Sequence, residues 1–161
     1  MASGDRTRPD GASVETVRPF GFASDQPVVR QVGGRNLYLG NVHAATATDH
    51  GHEFDHVVSA TVDEQPSTTH HCPLADGPGN DWETFAAAVD ATRRYYEADG
   101  STLVHCRAGV SRSATLIATA LAAEENRSFA DALDEIHETR PIATPHPALR
   151  TDAAIYLAAR S

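Results

Sequence analysis

Lysine is missing altogether: all thirteen basic side chains among the 161 residues are arginines, and they face twenty-two acidic ones for a formal net charge of −9. So little positive charge argues against nucleic acid as a partner, because a phosphate backbone needs a basic face. An acidic, lysine-free, Ala- and Thr-rich chain resembles proteins of salt-loving cells, in which surplus carboxylates stay hydrated and salt screens their repulsion. A GC-rich genome that favours Arg codons produces the same bias. Cysteine is nearly missing too. Cys72 and Cys106 are too few for a disulfide framework and point instead to a reactive thiol in a reducing compartment. No stretch approaches the ~20 apolar residues that cross a bilayer, and the first residues lack the apolar run of a secretory signal. A cytoplasmic monomer with no membrane partner is the expectation.

Internal repeats are also absent. Residues 1–26 mix Gly, Pro, Ser and charge without apolar periodicity, which predicts a poorly ordered arm that Phe20 and Phe22 would anchor at its end. Residues 27–161 suffice for one domain. VVRQV, then GGR, then NLYLG reads as a hairpin, followed by a short helix from Val42 to Asp49. His56–Ala60 and His70–Leu74 read as strands, and ADGPGND after Leu74 as a loop. Asn80 stands three residues before Glu83, a capping arrangement for a helix that repeats Trp82, Phe85, Val89 and Tyr96 inward and ends at Asp99-Gly100. Ser101–Cys106 suits a strand buried on both faces. Three helices follow: an apolar one from Arg112 to Glu125, one capped by Ser128 with Asp131, and one opened by Pro147 with Leu149, Ile155 and Tyr156 inward or partly so. Strands alternating with helices imply an α/β fold with a central, mostly parallel sheet flanked by helices.

The chemistry concentrates in HCRAGVSRS, His105 to Ser113, where that strand ends and a helix begins. An anion placed there meets unpaired backbone N–H groups. Gly109 lets the loop curl so that the N–H groups of Arg107, Ala108, Gly109, Val110 and Ser111 surround one centre, and Arg112 offers a bidentate fork. Cys106 lies at the bottom of the ring. Such surroundings bring thiols from ~8.5 down to about 3.5–7.5, so Cys106 reads as a thiolate nucleophile that attacks phosphorus and forms a phosphocysteine. Ser113 is placed to hydrogen-bond the sulfur and ease its departure. His105 reads as a residue that shapes the loop rather than one that transfers protons.

The pattern resembles the C-x5-R signature of the protein tyrosine phosphatase superfamily, and the longer string HCRAGVSRSAT resembles its dual-specificity branch. NLYLGNVHAA resembles that family's opening strand and turn. RPIATPHPAL resembles its late Arg-Pro and Pro-Asn-Pro segment, with His146 where Asn is usual. The resemblance implies phosphorylated proteins as substrates, no cofactor, and a carboxylic acid upstream, in a loop after a strand, that protonates the leaving oxygen. Asp76, followed by glycines in such a loop, is the first candidate for that acid; Asp81 and Asp63 are alternatives, and Asn80 is placed to hold the loop.

Competing readings are weaker. Phosphoinositides or RNA 5′-phosphates call for more basic residues than Arg107 adds to the loop. A non-catalytic phosphate-binding module would not need Cys106, Arg112 and an Asp together. A sulfur-transfer domain of the rhodanese type is poorly served by Asp76, Ser113 and a long helical C-terminal half. His43, His50, His52, His56, His70 and His71 match no familiar zinc spacing and lack a Cys pair, so no metal is expected. Cys72 reads as a strand residue near the floor of the site and as a candidate partner for Cys106 on oxidation.

Overall fold

The computed structural model describes residues 16–18 and 21–23, whose backbones form strands, together with residues 25–46 and 51–160. Strands β1 (Thr16–Arg18) and β2 (Gly21–Ala23) pair antiparallel within the expected arm. The rest of that arm up to residue 24, and the anchoring contacts sought at Phe20 and Phe22, lie outside the described residues.

The hairpin is present as β3 (Val29–Gln31) and β4 (Leu37–Gly40), joined by a turn in which Gly33 adopts φ +59°. A non-glycine residue is uncommon in that left-handed region. Strands β5 (His56–Ser59), β6 (His70–His71) and β7 (Thr102–His105) complete a five-stranded sheet of order β3-β4-β7-β5-β6, in which every pair but β3-β4 is parallel. All four residues of β7 are buried, as its β-branched, apolar sequence demands of a central strand. Gly40 and Ser59 both sit opposite His105 in register, so β4, β5 and β7 end level and deliver their following loops to one edge. In open α/β sheets that carboxyl edge is where ligands bind.

Among the described residues five helices cover the sheet: α1 (Val42–Thr46), α2 (Trp82–Glu97), α3 (Arg112–Glu125), α4 (Phe129–Thr139) and α5 (Pro147–Ala159). Helix α3 is the hub and packs against α2, α4 and α5. Everything from Ser113 to Ala122 is buried, including Leu116, Ile117 and Leu121, and each such side chain contributes about 1.5–3 kcal/mol of apolar burial. Its small residues let three helices approach closely, and Asn126 ends it in a left-handed conformation. Ser128 accepts from Asp131 N at 3.0 Å, the expected cap of α4, and Pro147 opens α5. Arg35, from the β3–β4 turn, bridges Glu125 at 2.9 Å and Glu135 at 2.7 Å, and Arg127 joins the same two carboxylates. This ties the hairpin to α3 and α4.

One local expectation runs past the described residues and several others are corrected. The helix after Val42 is described only to Thr46; residues 47–49 lie outside the described residues. β5 stops at Ser59, β7 at His105 and β6 after two residues, although Cys72 N and Leu74 N still donate to Ser59 O and Ala60 O, so the chain runs on extended without a full ladder. Helix α2 closes on Ala98, before Asp99-Gly100, and its N-cap is Asp81. Asn80 does not cap it, because its side-chain amide is engaged by Ala75 and Gly77 instead. Trp82 is 43% exposed at the first turn of α2, its ring 6.2 Å from that of Tyr156. Ile155 is 51% exposed, because Leu149, Ala153 and Tyr156 take the inward stripe of α5 and position 155 falls roughly a quarter-turn away.

Candidate active site

Backbone accounting defines the loop that leaves β7. Cys106 O faces His105 Nδ1 at 3.3 Å, and Arg107 O accepts from Val42 N at 3.1 Å. Arg140, 3% exposed, donates through Nη2 to Ala108 O at 3.0 Å and through Nε to Gly109 O at 3.1 Å. Thr144 N then donates to Val110 O at 2.8 Å. Each carbonyl from 106 to 110 is thus held by a donor outside the ring. In a planar trans peptide the N–H of the next residue points the opposite way, so the N–H groups of Arg107 to Ser111 are turned inward together. Gly109 makes the curl feasible. Its φ is +69°, and a Cβ built there would lie 2.9 Å from Gly40 O.

Cys106 sits at the centre, 2% exposed, with Sγ 3.2 Å from Ser113 Oγ. Burial pushes its thiol up, but the charge of Arg112, the Ser113 hydroxyl and the N–H groups of Ser113 and Gly109 together pull it below the ordinary value. Cys72 is the opposite case. It is also buried, and burial pushes its thiol up to about 11 despite Arg94 nearby. Both cysteines are free.

Arg112 opens α3 and reaches back across the site, its Nη1 donating to Leu74 O at 3.1 Å and Ala60 O at 3.4 Å. Its Nε is buried without a protein partner, one of two such side-chain nitrogen or oxygen atoms among the described residues. A buried guanidinium N–H left unmade is costly, and an anion above Cys106 would satisfy it.

His105, fully buried, is 2.6 Å through Nε2 from Ser59 Oγ, which is 2.7 Å from Thr68 Oγ1. Burial lowers its pKa to about 4, against the opposing pull of Cys106 O. With Nδ1–H donating to Cys106 O, Nε2 accepts from the Ser59 hydroxyl, and the ring stays neutral and fixed.

Asp76 is exposed on the loop after β6. Asn80 closes that loop, accepting from Ala75 N at 2.8 Å and donating to Ala75 O at 2.9 Å. Through Leu74 O the same loop is tied to Arg112. The alternatives lie elsewhere: Asp81 is the N-cap residue of α2 and Asp63 follows β5, both exposed. Among the described residues no three His, Cys, Asp or Glu side chains come together to hold a metal. His56 instead stacks on Tyr95 at 4.3 Å and His52 on Phe54 at 5.9 Å. No helix among the described residues is long and apolar enough to cross a membrane.

Sequence reasoning missed Arg140, Thr144, Ser59 and Thr68. The Arg-Pro segment was a visible signal for Arg140, but nothing in its spacing says that the guanidinium turns back to the loop. Ser59 and Thr68 carry no pattern at all.

A cysteine whose thiol is held below its ordinary pKa under a ring of inward N–H groups, at the carboxyl edge of a mostly parallel sheet, is the architecture of cysteine-dependent phosphatases. Residues 37–152 match the family model described as dual specificity phosphatase, catalytic domain, and the chain belongs to that family. It is 32% identical over 121 residues to human dual specificity protein phosphatase 15, covering 71% of this chain and 41% of that protein. Against Arabidopsis thaliana dual specificity protein phosphatase 1 the identity is 28% over 120 residues, covering 70% and 61%. The chain therefore spans less than two thirds of either relative. The crystal structure of human DUSP28 superposes with a TM-score of 0.65 at 28% identity, covering 83% of this chain and all of that one.

Proposed function

We propose that this chain is a protein phosphatase that hydrolyses phosphotyrosine, with phosphoserine and phosphothreonine also in its range, through a phosphocysteine intermediate. The observation that carries the reading is the pairing of a thiol held below its ordinary pKa with a buried, unpartnered Arg112 Nε in one ring of N–H groups. The thiolate of Cys106 attacks phosphorus while Arg112 and the N–H groups of Arg107, Ala108, Gly109, Val110 and Ser111 hold the phosphoryl oxygens. As the S–P bond forms and the P–O bond breaks, Asp76 gives its proton to the departing oxygen. Water then attacks phosphorus and loses a proton to the Asp76 carboxylate; the S–P bond breaks, Ser113 donates to the returning thiolate, and inorganic phosphate leaves. His105 keeps the loop in shape and takes no proton. The chemistry needs no cofactor or metal.

In this reading residues 27–161 are the catalytic domain and residues 1–26 an arm outside its chemistry. The protein works as a cytoplasmic monomer on phosphorylated proteins, not on nucleic acid. Its acidic, lysine-free composition suits a salt-rich cell. Phosphate release from phosphotyrosine, phosphoserine and phosphothreonine peptides, phosphoinositides and triphosphate-ended RNA tests the assignment. Turnover of the peptides supports it, and turnover confined to the lipid or RNA refutes it.

A further inference from the structure

His146 stands between the two loops that the proposed reaction must bring together. Its backbone N donates to Ser111 Oγ at 2.8 Å, on the anion loop. Its ring Nδ1 accepts from Ala148 N at 3.0 Å and caps α5, which leaves the ring N–H on Nε2. That nitrogen faces the loop after β6: a methyl built on Gly77 would lie 3.9 Å from it, and Gly77 is buried. Gly77 directly follows Asp76. The ring is therefore held from behind by the helix cap and presents its far edge to the backbone beside the proposed acid.

We propose that His146 is a positioning residue for Asp76, its imidazole acting as the stop against which the Asp76–Gly77 backbone rests when the carboxyl group is directed at the leaving oxygen. The inference deepens the phosphatase reading and rests on it. Asn80 holds the loop's own ends together, whereas His146 relates the loop to the phosphate ring through Ser111. A side chain able to cap α5 but shorter than the imidazole leaves a wider gap beside Gly77 for the acid loop to move into. Asparagine is such a side chain: its oxygen still accepts from Ala148 N, as Asn is among the best N-cap residues.

The test compares wild type, His146→Asn, Asp76→Ala and the double variant on phenyl phosphate, whose leaving group needs a proton, and on a nitrophenyl ester, whose leaving group needs it little. A misplacement of about 1 Å at a reacting group costs up to about 10²-fold. His146→Asn is accordingly expected to lower kcat on phenyl phosphate about 10- to 100-fold, with less than about a threefold change on the nitrophenyl ester. Its thermal midpoint should match wild type, and it should add nothing further in the Asp76→Ala background. Three results would overturn the proposal: unchanged phenyl phosphate turnover, equal loss on both esters, or losses that multiply in the double variant. A wild type inert on every ester and peptide would remove the phosphatase reading as well, whereas an active wild type with any of those three results removes the His146 role alone.

Discussion

Arg140→Met keeps the length and apolar stem of the side chain while removing every donor. In the folded protein that arginine is 3% exposed and holds Ala108 O and Gly109 O at 3.0 and 3.1 Å. Two loop carbonyls would lose these partners, at about 1–3 kcal/mol each. Relief of the guanidinium's own desolvation offsets part of this, leaving a net loss of about 2–4 kcal/mol, a large fraction of the ~5–15 kcal/mol that typically separates folded from unfolded domains. The functional consequence follows from peptide planarity, because a carbonyl released from Arg140 lets the N–H of Gly109 or Val110 swing out of the ring. Orthovanadate binding should weaken about 10- to 100-fold, equivalent to about 1.4–2.8 kcal/mol. Arg140→Lys should fall between, since an ammonium lacks the fork that serves two acceptors. Urea titration gives the stability and vanadate titration at pH 7 the binding. An unchanged unfolding midpoint with vanadate affinity within twofold of wild type would refute the argument; a lowered midpoint with unchanged affinity would refute the link between outward carbonyls and inward N–H groups.

Other predictions are simpler to state. Cys106→Ser should abolish turnover yet retain phosphate binding, and Arg112→Ala should lose both; residual turnover at a tenth of wild type in the serine variant would remove Cys106 as nucleophile. His105 titrates at about 4 in the folded protein against 6.5 for an ordinary His, so the unfolded chain binds the extra proton first. This contribution is complete above about pH 6.5 and lost as pH falls toward 4, a span of roughly 3 kcal/mol. His105→Asn should flatten the stability slope between those limits by one proton, and parallel slopes would contradict the burial argument. Screening of the net charge of −9 should raise the unfolding midpoint between low and molar salt; a flat response would remove the salt-rich reading without touching the phosphatase one.

The anion loop was legible because its chemistry is local. Cys106, Gly109, Arg112 and Ser113 lie within one turn of chain, and strand-to-helix context follows from the apolar patterns around them. The sheet and its helices were legible for the same reason, since alternation and helical spacing are short-range signals. What escaped is long-range. Arg140 reaches the loop only because α4 ends where it does, and Ser59 reaches His105 only because β5 pairs with β7 in register. Trp82 and Ile155 were misplaced because an apolar residue at an element's end or beside its inward stripe obeys packing that periodicity does not carry. Asn80 shows a local rule losing to a competing one: a capping pattern is present, but closing the loop onto Ala75 and Gly77 takes both ends of the amide.

Apart from His105, the donors that fix the loop come from Val42, Arg140 and Thr144, far before and far after the motif itself. A nascent chain that has emerged only as far as Ser113 already contains every residue of the signature. It lacks the guanidinium and the amide that turn the Ala108, Gly109 and Val110 carbonyls outward, so the ring of N–H groups has no reason to converge on the sulfur. Until the C-terminal third docks, nothing holds those N–H groups toward Cys106, and the thiol lacks that part of the pull that lowers it in the folded protein. A chain that ends before α4 should accordingly ionise Cys106 less readily than the whole chain does, and the pH dependence of its alkylation would read that difference.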